Sequence, residues 1–351
     1  MTVSARPGRF GRLAALAAVA MVAIVPALAA CAPSATQDDS APAGATTISF
    51  QLDWVKNSQF AGFFEADDKG YFADNGLSVK FLDGGDVAST ASVIVGGGAQ
   101  MGIVSNMARL YDANKAGADL VAVGAIYQTS PAGIMTLPDR EVSSIADLEG
   151  LKIGTDESGQ ADLDTLFKVN GKDPSYTHVR VGYDAAPLFA GKIDAYYVYV
   201  TNQPVTSTLQ GKESNVVTFA DLGFQSYAGL IVTTRDYLES NRDDVEAFMS
   251  AAQKGWQDVI DDPQAGTDLT VSHYGSNLGL DADTEIGTLK AQLPLMQSDA
   301  TQKYGVLALD PTAIAGPMYD ALRASGRTEL PEPGEVYDAS VIEEAASGAA
   351  S

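Results

Sequence analysis

Short apolar runs alternate with helix-spaced stretches along most of the chain. TISFQLDW (47–54) alternates apolar and polar residues and predicts a strand; SQFAGFFEADDKG (58–70) carries a helical stripe that Gly70 closes. LSVKFL (77–82) is a second strand, followed by the turn DGG and a helix over DVASTASVIVGGG with Asp86 as its expected cap. QMGIVS (100–105), NMARLYDANKAG (106–117) and LVAVGAIY (120–127) continue as strand, helix and buried strand. The pattern restarts after SPAGIMTLPDR (130–140). A short helix (143–150), strand LKIGT, helix SGQADLDTLFKVNG, strand THVRVG, helix DAAPLFAGK, strand IDAYYVYV and helix NQPVTSTLQG follow. YAGLIVTT (227–234) is one more strand, and beyond Asp236 nearly everything has helical spacing.

Two such successions predict two α/β lobes, each with a mostly parallel sheet flanked by helices. The long helical tail after the second implies a discontinuous first lobe, 46–137 plus 229–345, with lobe two at 138–228. Two chain crossings between lobes form a hinge suited to closing around a ligand.

The first residues have a different pattern. Arg6, Arg9 and Arg12 precede an apolar run that ends in Leu28-Ala29-Ala30-Cys31. This predicts a secretory signal over 1–30, and the tetrapeptide resembles a bacterial lipobox, in which Cys31 is lipidated. Residues 31–45, rich in Ala, Pro, Ser and Asp, read as a flexible tether.

Charge narrows the function. The formal net charge is −23, and loss of the three leader arginines makes it −26. Such a chain repels phosphate backbones, which argues against nucleic acid. Cys31 is the single cysteine, and His178 and His273 are far apart in sequence. Neither a zinc centre nor a Ser-His-Asp triad has its raw material here. No metal, cofactor or catalytic residue is expected.

Candidate ligand residues follow from position, because open α/β sheets bind ligands outside the carboxyl ends of their strands. Trp54 ends the first strand and offers a stacking face; Asn57 and Phe60 open the next helix, where Asn57 is equally a cap. Phe63 and Phe64 have core spacing. Gly84 and Gly85 permit close backbone approach, Ser105 and Asn106 end another strand, and Tyr127 the next. Lobe two adds Asp156, Asn202 and Gln203, and the second crossing adds Tyr227. Each also has an ordinary structural reading as a cap, turn or hinge residue. Trp256, on the stripe Val245, Phe248, Met249, Ala252, Trp256 and Val259, is expected in the core.

LDWVKNSQFAGFFEADDKGYFADNGLSV, GGGAQMGIVS, SIADLEGLKIGT, LFAGKIDAYYVYVTNQP and YAGLIVTT together resemble the thiamine-pyrimidine-synthase-like group of periplasmic solute-binding proteins, related to sulfonate, nitrate and taurine receptors. The resemblance implies a type II periplasmic-binding-protein clamshell. It also implies an extracytoplasmic, lipid-anchored, monomeric receptor that serves an ABC permease and ATPase. The Trp-x-x-Asn subgroup looks most like receptors for thiamine pyrimidine precursors. Lys56, Phe60 and Gln203 depart from it, standing where proline, histidine and an acid are common, and these departures favour a less basic or larger ring such as a flavin. A small-anion receptor is the alternative ligand class. The group's synthases form another class, but they carry a cysteine-rich segment that this chain lacks. A sensory or adhesin lipoprotein on the same clamshell also stays open.

Overall fold

The computed structural model describes residues 44–85 and 89–348. The signal segment, Cys31 and most of the tether lie outside them, as does Asp86, the expected cap. The helix after the second strand is instead Thr90–Val95, capped by the side chain of Ser89.

Ten strands form two five-stranded sheets. The first contains β1 (Thr46–Gln51), β2 (Leu77–Leu82), β3 (Met101–Asn106), β4 (Leu120–Tyr127) and β10 (Ala228–Thr234), in the order β2-β1-β3-β10-β4. The second contains β5 (Ala132–Thr136), β6 (Lys152–Thr155), β7 (Thr177–Arg180), β8 (Ala195–Tyr199) and β9 (Asn215–Thr218), in the order β7-β6-β8-β5-β9. β10 runs antiparallel to β3 and β4, and β5 antiparallel to β8 and β9. These are the first strands reached after each crossing. A chain entering a lobe from the cleft starts its strand at the edge where the parallel strands end, so it must run against them. Each lobe thus repeats one topology, the type II clamshell.

The first crossing therefore falls at 128–131, between β4 and β5, and not near residue 137. Ala132–Thr136 belongs to lobe two because it pairs with Tyr199–Ala195 on one side and Thr218–Asn215 on the other. The return is the 219–227 segment.

Each sheet is covered on both faces, which is why its strands carry so many buried residues. On one face of the first sheet, Phe50, Phe63, Phe72, Phe248 and Trp256 share a core. The Phe50 ring lies 5.1 Å from that of Phe63 and 4.9 Å from that of Phe248. The Ala61–Asp68 helix reaches the Arg242–Asp261 helix through two glycines. A Cβ on Gly62 would sit 2.1 Å from the Trp256 ring, and one on Gly255 2.1 Å from the Gly62 carbonyl. The opposite face is a second core around Leu110, Leu230 and Met318. Lobe two has smaller cores around Phe167 and Phe219 and around Leu188 and Tyr196. No helix among the described residues is long and apolar enough to cross a membrane.

Candidate functional site

The carboxyl ends of β1, β3, β4, β6 and β8 face a cleft between the lobes. Beyond β1 the chain makes a tight loop over Gly84, whose N–H donates to the Trp54 carbonyl at 3.0 Å. A Cβ on Gly84 would lie 2.3 Å from the Leu52 carbonyl oxygen and 2.4 Å from the Trp54 nitrogen, so only glycine fits beneath the loop. Gly85 lies against Val55 in the same turn. Asn57 caps the short helix Ser58–Phe60, its Oδ1 accepting from the Gln59 N–H at 3.3 Å.

The helix Ala282–Gln292 braces this loop from behind. Glu285 Oε2 accepts from the Ser58 N–H at 2.8 Å, and Gln292 donates to the Gln59 carbonyl at 3.2 Å while accepting from the Tyr127 hydroxyl at 3.0 Å. Trp54 is therefore held by its backbone while its ring stays 45 % exposed. From lobe two, Tyr183, 75 % exposed, brings its ring to 6.5 Å from Trp54 at an interplanar angle of 56°. The two rings are the aromatic rim of the cleft.

Behind that rim lies a group of charges and phenols from both lobes. Asp53 is half-buried, and its Oδ1 is enclosed with no hydrogen-bond partner among the described residues. Burial pushes its carboxyl up to about 7, against the pull of its own backbone N–H and of Arg109. Opposite, Asp162 accepts from the Tyr197 hydroxyl at 2.9 Å, and burial raises it to about 6 despite that bond and Arg109. Tyr199 is within electrostatic reach of both: burial, then the charges of Asp162 and Asp53, hold its phenol well above the usual range. Burial likewise raises Tyr127, whose hydroxyl also meets the Thr201 side chain of lobe two. Arg109 is within electrostatic reach of Asp53, Asp162 and Tyr199, so one guanidinium serves carboxylates of both lobes. It is positioned by Asn106, whose Oδ1 caps the Met107–Lys115 helix by accepting from the Arg109 N–H at 2.9 Å.

Among the sequence candidates, Ser105, Asn106 and Tyr127 close β3 and β4, and Trp54 and Asp156 lie just beyond the ends of β1 and β6. Asp156 spends one carboxylate oxygen capping the Glu157–Val169 helix, at 2.8 Å from the Gly159 nitrogen. Asn202 is exposed at the start of the helix Gln203–Leu209, and Gln203 turns back to accept from the Tyr199 N–H at 3.2 Å. Two candidates belong elsewhere. Phe60 is fully buried against Phe64, with ring centroids 6.4 Å apart, and is a core residue. Tyr227 is 1 % exposed, and its hydroxyl accepts from the Asp310 N–H at 2.8 Å, pinning the second crossing to the helical tail. Asp53, Arg109, Asp162, Tyr183, Tyr197 and Tyr199 were not among the candidates. Strand ends alone mark Asp53 and Tyr199; nothing local marks Asp162, Tyr183 or Arg109.

A family profile described as NMT1/THI5 like matches residues 57–266. The riboflavin-binding protein RibY of Chloroflexus aurantiacus is 27% identical over 284 residues, spanning 79% of this chain and 80% of that protein. A formylaminopyrimidine-binding protein of Halalkalibacterium halodurans is 23% identical over 77% of this chain and 82% of its own. In fold, the chain is similar to the periplasmic aliphatic sulphonate binding protein SsuA of Escherichia coli. That match has a TM-score of 0.62 at 17% identity and covers 84% of this chain and 92% of that one.

Proposed function

The chain belongs to the NMT1/THI5-like family, and on that premise we propose that it is an extracytoplasmic, lipid-anchored solute-binding protein. It captures a small aromatic heterocycle between its lobes and presents it to an ABC permease and its ATPase. Thiamine pyrimidine precursors and flavins are the ligand classes; the anchor is Cys31.

The observation that carries this reading is the enclosed Asp53 Oδ1, unpartnered among the described residues, on the residue next to Trp54. A buried carboxylate oxygen without a donor is costly, and a ligand that brings an N–H to it removes the cost. A flat ring seated against Trp54 and Tyr183 offers its face to the aromatics and an N–H edge to the acid, as aminopyrimidines and flavins both do. The same geometry disfavours a sulfonate, taurine or nitrate. An anion here would meet Asp53 and Asp162 with Arg109 already shared between them. The synthase class relies on cysteines, and these 351 residues hold one, Cys31.

A panel of an aminopyrimidine, riboflavin, an alkanesulfonate and nitrate tests the proposal by thermal shift and tryptophan fluorescence. A heterocycle should raise the melting temperature and quench Trp54. Stabilisation by the sulfonate or nitrate alone, unchanged in Trp54→Ala, would move the protein to the small-anion class. Cys31→Ser should abolish acyl labelling, and persistent labelling would refute the anchor.

A further inference from the structure

A cavity of about 310 Å³ lies between the lobes beside the two crossings. Ser130 and Ser226 bound it at the crossings, Asp162 and Lys168 on the Glu157–Val169 helix, and Met318 and Ser325 on the helical tail of lobe one. Asn106 and Tyr199 also line it. Asn106 is the last residue of β3 and Tyr199 the last of β8, so the cavity opens at the same carboxyl edge of the two sheets as the rings, a second compartment of that cleft. A single ring seated on Trp54 leaves it unused.

Its lining is polar, and the polar atoms are of both kinds. Asp162 keeps Oδ1 as an acceptor, since Oδ2 holds the Tyr197 hydroxyl. Asn106 keeps its amide N–H₂ as a donor, since Oδ1 holds the Arg109 N–H. Lys168 adds donors. Positive charge is not in excess: Arg327, at the wall, makes two bonds to Asp112, at 2.9 and 2.6 Å, and Lys168 shares the cavity with Asp162 and Asp164. A phosphate or sulfonate tail finds no uncommitted guanidinium there. A hydroxyl, which donates and accepts at once, matches donors interleaved with acceptors.

We propose that this cavity is a second subsite of the same cleft, and that the ligand is a heterocycle bearing an uncharged polyhydroxylated tail. The inference rests on the ring-site reading above and narrows it: the ring engages Trp54 and Asp53, the tail passes Tyr199, and its hydroxyls reach Asn106 and Asp162.

The test uses ring compounds that differ only in the tail: lumiflavin against riboflavin and its 5′-phosphate, and cytosine against cytidine, with Trp54 quenching as the readout. The tailed neutral compound of a pair should bind at least about tenfold tighter than the bare ring, as two or more added hydrogen bonds give, and the phosphate should bind less tightly than riboflavin. Ala161 lines the cavity at an exposed helical position, where leucine does not threaten folding. Ala161→Leu should remove the tail's advantage and leave the bare ring unchanged, while Ala161→Ser keeps both. Equal affinity of bare and tailed rings, with Ala161→Leu silent, would overturn the subsite while leaving the ring site standing. If no ring compound of either pair quenches Trp54, the ring-site reading fails and the subsite falls with it.

Discussion

The chain's two tryptophans have opposite surroundings. Trp54 is 45 % exposed, held by backbone contacts on a loop over Gly84, with its ring turned to the other lobe. Trp256 is fully buried, edge-on to Phe63 at 5.9 Å, and packs on the bare backbone of Gly62. One ring is surrounded by its own fold and contributes stability; the other is left open by it and is free to contribute affinity. The same division runs through the Leu52–Phe64 stretch, where Trp54 is open to the cleft while Leu52, Phe60, Phe63 and Phe64 are buried in the core. Aromatic density alone does not separate the two uses; what decides is which residues have a packed helix behind them.

The largest effect expected is on the buried ring. Trp256→Ala should cost about 3–5 kcal/mol in a denaturant melt, since neighbours locked around a large ring cannot collapse into its space. Gly62→Ala should cost about 1–3 kcal/mol from the opposite side, by overpacking. Wild-type stability in either variant would mean that the two helices do not meet as described. Trp54→Ala should instead leave the melt within about 0.5 kcal/mol of wild type. It should weaken ring binding by about 1–3 kcal/mol, roughly 5- to 150-fold, and Trp54→Phe should keep part of that affinity. A variant that melts early but binds normally would reverse the assignment.

Asp53 sharpens the comparison through pH. Its folded-state carboxyl is raised to about 7 and that of Asp162 to about 6, both above the ordinary 3.8, so the folded protein holds protons there that the unfolded chain releases. Their destabilising effect is full above about pH 7, is relieved as pH falls through those values, and vanishes near the ordinary carboxylate range. The ligand-free protein should therefore melt higher at about pH 5 than at about pH 8, and Asp53→Asn should flatten that rise. After allowance for solvent around a half-buried side chain, the effect is on the order of 1–2 kcal/mol. Identical pH profiles for the variant and wild type would show that Asp53 is not confined as the structure places it. The smallest effect belongs to Asn57→Ala, about 1 kcal/mol through the lost cap. Because it acts without ligand, any additional loss of ring affinity isolates a direct contact.

Most elements were legible along the chain. Strands with buried alternation and helices with a 3.6-residue stripe follow from local burial demands, and the Phe63, Phe64 and Trp256 stripes were read correctly for that reason. The lobe boundary was not, because Ala132–Thr136 lies in the stretch after which the pattern restarts, and its lobe is set by pairing with Ala195–Tyr199, more than fifty residues on. Phe60 and Tyr227 were misread for a related reason. An aromatic at the start of a helix or beside a crossing has no local mark of whether a distant helix covers it.

By itself the sequence determined the alternation of strand and helix, the two-lobed class, the acidic charge and the strand ends where a ligand site would lie. These are properties of neighbouring residues, set by periodicity and by the chemistry of single side chains. Only the tertiary structure decided that Asp53 Oδ1 is enclosed, that Arg109 is within electrostatic reach of carboxylates of both lobes, and that Tyr183 comes opposite Trp54. Desolvation and electrostatic coupling depend on distances through space, and Trp54 and Tyr183, with rings 6.5 Å apart, are separated along the chain by the six strands β2 to β7.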